Sequence, residues 1–295
     1  MNSVAAIGWR EGNTVLDWCT ATLVTPRVMI TAAHCIEGLT PTDIPALAAF
    51  FGFDTDNPGA NTEVVNLAEA YQHPQYDGDQ GDERDIAVLI LERDARTVRQ
   101  LPFRSEPLAI EDLCLSDKHC PGRSGPTELL GVGYGDTSSA GAGGGVRRSA
   151  LMDALDLDAS FLWNAGYVSN TCFGDSGGPI FSMEEGAWNL WGVVSWGDDN
   201  CTEYGANSRV GLYSNWLLNK IEGVHGTRDP CAAGSLYQDG ICDPLCPDKD
   251  SDCSDDPPPP EGKTCGCAPK DDSAQSSFPF AVLLPWAVVL RLRRN

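Results

Sequence analysis

The stretch Thr171–Ile180, Thr-Cys-Phe-Gly-Asp-Ser-Gly-Gly-Pro-Ile, constrains this chain more than any other. Ser176 follows Asp175 and precedes two glycines, with a β-type segment after Pro179. A serine hydroxyl is a poor nucleophile until a neighbouring base takes its proton. Flanking glycines let the backbone turn sharply enough for N–H groups to face a developing oxyanion. The pattern points to a nucleophilic serine, and the next question is which base serves it.

Two precedents compete. Gly174-x-Ser176-x-Gly178 fits the nucleophile elbow of α/β-hydrolases. The ten residues as a whole resemble the nucleophile loop of the trypsin/chymotrypsin-like serine proteases. Chain order separates the two. An α/β-hydrolase places its acid and histidine after the serine, and only His225 follows Ser176, in the polar stretch Gly223–Pro230. The proteases run histidine, aspartate, serine. Thr31-Ala-Ala-His-Cys35 and Asp85-Ile-Ala-Val-Leu89 supply the first two in that order. The protease resemblance covers roughly Val4 to Glu222. It implies an all-β fold of two Greek-key antiparallel barrels of the chymotrypsin type, closed by a short C-terminal helix.

The resemblance also implies roles. His34 takes the proton of Ser176, Asp85 orients His34, and the N–H groups of Gly174 and Ser176 hold the oxyanion. Asn170 corresponds to the floor of the primary specificity pocket, where trypsin-like members carry an aspartate for Arg or Lys. Ser195 stands behind the triad, Trp196 and Gly197 wall the pocket, and Gly211 is its far wall. Asp198 and Asp199 near the rim are candidates to attract basic substrates. Cys19 and Cys35 match the family's disulfide beside the catalytic histidine, and Cys172 and Cys201 the one bracing the pocket. His73, in a His-Pro-x-Tyr segment, is structural. The chemistry is acyl transfer to water on protein or peptide substrates and needs neither metal nor organic cofactor. The competing reading is a catalytically inactive binding protein on the same fold.

Composition sets the compartment. Across 295 residues the formal net charge is −22, which excludes a nucleic-acid binder, because phosphate contacts need clustered Lys and Arg. Twelve cysteines in near-neighbour groups imply disulfides and an oxidising compartment. Zinc is the alternative for such spacings, but histidine is scarce. Met1–Arg10 lacks the basic and apolar regions of a signal peptide. Family members begin their mature chain with an Ile-Val-Gly-Gly-like sequence whose freed ammonium pairs with the aspartate before the serine. The expectation is that Asp175 has no such partner here and that the 295-residue chain by itself is poorly active.

Along the chain, Val4–Trp9, Val15–Thr25, Val28–Ala33, Val64–Ala70, the run from Asp85 to Leu91 and Leu129–Gly135 read as strands. Phe50–Thr62 and Asp136–Val146 read as loops, and Asn215–Ile221 has helical spacing. Cys114 and Cys120 suit a local bridge. The protease domain spans 1–224 and is followed by a linker at 225–230. An acidic Cys-rich module occupies 231–253. Its four cysteines, Cys231, Cys242, Cys246 and Cys253, allow three pairings. Asp248-x-Asp250-x-Asp252 has the alternation of calcium loops, but a solvated acidic knot is the preferred reading. A proline-rich spacer covers 254–264. The tail at 265–295 carries Cys265-Gly-Cys267, the apolar run Phe278–Leu290 and a terminal arginine cluster. It resembles the C-terminal sorting signals of myxobacteria, which implies processing near Cys267 and attachment at the outer surface. At ~1.5 Å per residue the run is too short to cross a bilayer as a helix.

Overall fold

The computed structural model describes residues 2–78, 83–101, 103, 105–115, 118, 127–166, 169–184 and 187–253. Among the described residues twelve strands form two closed six-stranded antiparallel barrels. The first contains β1 (Val4–Glu11), β2 (Thr14–Leu23), β3 (Val28–Thr31), β4 (Leu47–Phe51), β5 (Glu63–Gln72) and β6 (Ala87–Leu91), in the order β1-β2-β3-β6-β5-β4. The second contains β7 (Glu128–Gly133), β8 (Arg148–Leu157), β9 (Phe161–Ala165), β10 (Pro179–Glu184), β11 (Ala187–Gly197) and β12 (Tyr204–Arg209), in the order β10-β11-β12-β9-β8-β7. This is the two-barrel all-β fold expected from the sequence.

Every residue of β3, β4 and β6 is buried, so both faces of these strands are covered. That explains why they read as unbroken apolar runs rather than as alternation. Ile7, Leu23, Met29, Leu47, Phe50, Leu67 and Leu89 are among the fully buried side chains, each contributing about 1.5–3 kcal/mol by burial. The core does not stop at the barrel wall. Val132, Tyr134, Phe181 and Val193 of the second half pack in the same cluster as first-barrel residues. Tyr134 donates its hydroxyl to the Gly52 carbonyl at 2.6 Å, tying the end of β7 to the first barrel.

Helix α1 (Ser214–His225) follows a 3-10 turn at Val210–Tyr213. Leu217 and Ile221, one turn apart, are its buried face. Gly226 ends it at φ 71°, a conformation that glycine adopts without strain. His73 packs edge-on to Tyr213 and Trp216, with ring centroids 5.2 and 5.1 Å away.

The Cys-rich module is packed onto this body, and Met1–Asp255 is one compact unit. The 225–230 stretch read as a linker is not slack chain. His225 Nε2 lies 2.9 Å from Thr25 Oγ1, and Asp229 caps α2 (Pro230–Gly234) by accepting the N–H groups of Cys231 and Ala232. Gln100 donates to the Gly234 carbonyl at 2.9 Å. Arg99 pairs with Asp239 at 3.0 Å and also with Asp243. Two disulfides staple the module, Cys231–Cys246 and Cys242–Cys253, which selects one of the three pairings. Its acidic side chains are less solvated than expected. Asp243 and Asp250 are buried, because Asp250 accepts the N–H groups of Asp243 and Asp252 and Arg99 faces Asp243. Cys114 is disulfide-bonded. Its expected partner Cys120 lies outside the described residues, as do the proline spacer and the tail. Among the described residues no helix is long and apolar enough to cross a membrane.

Candidate active site

At the junction of the barrels a cavity of 470 Å³ is lined by His34, Asp85, Ser176, Ser195, Trp196 and Gly197, among others. His34 opens the 3-10 turn His34–Ile36 directly after β3. Its Nδ1 lies 2.7 Å from Asp85 Oδ2, and its backbone N–H donates to Asp85 Oδ1 at 2.9 Å. Both carboxylate oxygens therefore face one residue, which fixes the imidazole plane and leaves Nε2 for other work. Ser195 donates its hydroxyl to Asp85 Oδ2 at 2.5 Å. Burial pushes the Asp85 carboxyl up, but the imidazole and N–H of His34 together with the Ser195 hydroxyl hold it below the usual carboxylate range. A buried, ionised carboxylate behind an imidazole is the arrangement that stabilises an imidazolium.

The nucleophile loop hangs from the first barrel. Thr20 N–H donates to the Ser176 carbonyl at 2.8 Å, and Thr20 Oγ1 donates to the Gly174 carbonyl at 2.9 Å. Thr31 in turn donates its hydroxyl to the Thr20 carbonyl at 2.8 Å. Gly177 sits at φ 79°, and a Cβ there would lie 2.0 Å from Thr31 Oγ1 and 2.4 Å from the Thr20 carbonyl. Gly174, at φ 92°, also occupies a region that side chains avoid. The Cys19–Cys35 and Cys172–Cys201 disulfides are both present. Among the described residues the only grouping with metal-ligand spacing is Cys19, His34 and Cys35, and the disulfide leaves those sulfurs no thiolate to offer.

Asp175 faces the other way. Its carboxylate accepts the N–H groups of Gly135 and Cys172, both at 2.8 Å, and lines a second cavity of 390 Å³. Burial outweighs these donors and pushes its pKa up to about 6. Gly133 and Gly135 make room for it, since a Cβ on either would fall within 2.6 Å of the carboxyl.

The pocket residues fall in two adjoining cavities, and two expectations about them change. Asn170 lines the second cavity, which shares Thr171, Cys172 and Cys201 with the one holding Ser176. Gly211 is not a pocket wall: it lies in the Val210–Tyr213 turn, where a Cβ would meet the Glu106 carbonyl at 2.5 Å. Gly205 instead stands opposite Gly197 in the β11–β12 ladder. Asp198 accepts the N–H groups of Asn200, Thr202, Glu203 and Tyr204, so its carboxylate closes its own turn rather than reaching for a substrate. Thr20 and Ser208 were absent from the sequence-based site. Ser208 donates its hydroxyl to the Asp85 carbonyl at 2.8 Å. Neither belongs to a motif, and only strand pairing brings them here.

Two closed barrels with a histidine–carboxylate pair and a serine loop at their junction define the chymotrypsin-type architecture. The chain belongs to the trypsin family, whose sequence model, described as Trypsin, matches residues 3–217. Transmembrane protease serine 11C of Mus musculus is 31% identical over 229 residues, covering 68% of this chain and 47% of the relative. A trypsin of Saccharopolyspora erythraea is 29% identical over 221 residues, 70% of this chain and 87% of the relative. Venom serine protease 34 of Apis mellifera is 24% identical over 218 residues, 68% of this chain and 51% of the relative. The chain thus spans about half the length of the mouse and honeybee relatives.

Proposed function

We propose that the protein is a serine endopeptidase in which Ser176 attacks the substrate carbonyl, His34 takes and returns the proton, and Asp85 holds the imidazole. The N–H groups of Gly174 and Ser176 receive the oxyanion, a contribution in which one donor typically accounts for about 2.7–4 kcal/mol of barrier. The observation that carries this reading is the doubly held His34–Asp85 pair, at 2.7 and 2.9 Å, in the same cavity as Ser176. Asn170 serves as the base of the primary side-chain pocket between Gly197 and Gly205, and a neutral base disfavours strict cleavage after Arg or Lys. An ammonium group entering the Asp175 cavity would match its carboxylate and order the oxyanion loop. Four complete disulfides among the described residues support action outside the cytoplasm, with the tail holding the protein at the cell surface.

The test compares hydrolysis of a mixed peptide library by protein isolated from its native cells with hydrolysis by the Ser176→Ala form. Turnover confined to the parent supports the assignment. Equal turnover by both, or none by either, would overturn it, and none by either leaves an inactive, surface-displayed binding protein as the better reading.

A further inference from the structure

The register of the second barrel brings a cation to Asp175. Strands β7 and β8 pair Leu129 with Met152, Gly131 with Ala150 and Gly133 with Arg148. Residues directly opposite in an antiparallel pair share a face, and faces alternate along each strand. Leu129 and Met152 are buried in the barrel core, whereas Leu151 between these positions is exposed. The Gly133–Arg148 pair therefore falls on the inward face, at the end of the barrel where that face meets solvent. A Cβ on Gly133 would lie 2.1 Å from Asp175 Oδ1, so the carboxylate occupies the side-chain space of Gly133. Opposing side chains start about 4.5–5.5 Å apart, a gap that an arginine covers. Arg148 and Asp175 accordingly line one cavity, of 390 Å³.

A buried carboxylate is costly unless it is paired. Burial raises the Asp175 carboxyl, the Cys172 and Gly135 N–H groups and the Arg148 charge pull it back, and Asp136 adds to the rise. Among the described residues the charged groups lining the cavity are Asp136, Arg148 and Asp175, which leaves Arg148 as its cation. Asp136 Oδ1 accepts the Gly144 N–H at 3.2 Å. Asp54, bridged to Val146, is a further carboxylate within the field of Arg148. The guanidinium is held at the rim, where Nη1 donates to the Gly143 carbonyl and, at 3.1 Å, to the Val146 carbonyl. Both bonds use one nitrogen of a group that carries five N–H donors on three.

Asp175 sits in the turn that carries the nucleophile. Its N–H donates to the Cys172 carbonyl at 3.0 Å, and its carbonyl accepts the Gly178 N–H at 2.8 Å. Gly174 and Ser176 lie inside these two bonds, so the direction of their N–H groups follows from where the Asp175 side chain is held.

We propose that Arg148 is a positioning residue whose guanidinium is the chain's own counter-cation for Asp175 and so holds the turn of Gly174 and Ser176; this deepens the serine endopeptidase reading and rests on it. The compensation is partial, since burial still outweighs it.

The test uses the 295-residue chain with Arg148→Gln, Arg148→Lys, and Asp175→Asn with and without Arg148→Gln. Glutamine keeps an NH₂ for the Gly143 and Val146 carbonyls but has no charge. On a peptide ester at pH 8, Arg148→Gln should lower kcat about tenfold with KM little changed, and Arg148→Lys should keep most of the parent rate. Denaturant midpoints from pH 4 to 8 give the second readout. Without the Arg148 charge the Asp175 carboxyl moves further up, so stability falls more steeply as pH rises, and does so to a higher pH. In the Asp175→Asn background, Arg148→Gln should leave the slope unchanged, which separates Asp175 from Asp54 and Asp136. Unchanged kcat in folded Arg148→Gln, a Lys variant as poor as the Gln variant, or an equal slope change in both backgrounds overturns the proposal. So does a parent chain without turnover while protein from native cells is active, because Arg148 then does not order the turn. Turnover by neither is the failure of the enzyme reading, and the stability cycle alone then decides the Arg148–Asp175 pairing.

Discussion

Thr20 N–H donates to the Ser176 carbonyl across the barrel junction at 2.8 Å, so a strand of one barrel holds the nucleophile loop of the other. The same residue's hydroxyl donates to Gly174 O and accepts the Tyr134 N–H at 3.2 Å. The geometry of the oxyanion loop is therefore set partly by β2.

Thr20→Val keeps the backbone bond and the shape but removes both hydroxyl bonds. The buried Tyr134 N–H and the partly buried Gly174 carbonyl lose a partner, at about 1–3 kcal/mol for the buried one. The expected outcome is kcat lowered about tenfold with KM little changed, and a melting temperature several degrees lower. Steady-state kinetics with a thermal scan check it, and unaltered kcat would show that the loop is ordered without this residue.

Asp85→Asn should keep the fold and lower kcat by about four orders of magnitude, because an amide in that position favours the wrong imidazole tautomer. Ser195 and Ser208 also hold Asp85, so the variant should not reposition the side chain. Progress curves on a peptide ester, with circular dichroism as the folding control, decide the matter.

How much of this was legible in the sequence follows from what each residue does. His34, Asp85 and Ser176 lie in short motifs because glycines and a cysteine must sit beside them in the chain. Thr20, Ser208, Asn164 and Asn207 act through strand pairing, and each is fully buried although polar. Strands β9 and β12, which carry Asn164, Asn207 and Ser208, consequently lack a clean apolar alternation, and the sequence leaves them unassigned. Strand β8 alternates only weakly between buried and exposed positions, and the sequence leaves it unassigned. The Gly211 error has a similar origin. Gly205 and Gly211 both follow the serine loop, and only the β11–β12 register shows which one faces Gly197.

Asp175 gives a pH signature. Its pKa is raised to about 6 from 3.8, so between those values the folded protein binds a proton that the unfolded chain does not. Stability from this group falls as pH rises through that window, and the cost is fully present above about 6. Asp175→Asn should remove that downward slope, as read by denaturant midpoints from pH 4 to 7. An unchanged slope would mean that the carboxylate already has a cationic partner.

Glu63 gives the opposite signature. Burial pushes its pKa up, but Arg93 and the N–H and hydroxyl groups around Arg96 and Thr97 more than offset this and bring it down to about 2 from 4.5. The stability it contributes is present above about 4.5 and is lost as pH falls toward 2. Glu63→Gln should lower stability at pH 7 and flatten the acid limb between those values. Equal acid midpoints for parent and variant would contradict the assignment.

The central claim is that Ser176 forms the acyl-enzyme with His34 as its base, and covalent capture tests it most directly. Protein from native cells is treated with a fluorophosphonate, digested and mapped by mass. The account places the adduct on the peptide containing Thr171–Ile180, at Ser176, with labelling lost in Ser176→Ala and strongly reduced in His34→Ala. An adduct on another residue, or equal labelling of the parent and Ser176→Ala, would contradict it.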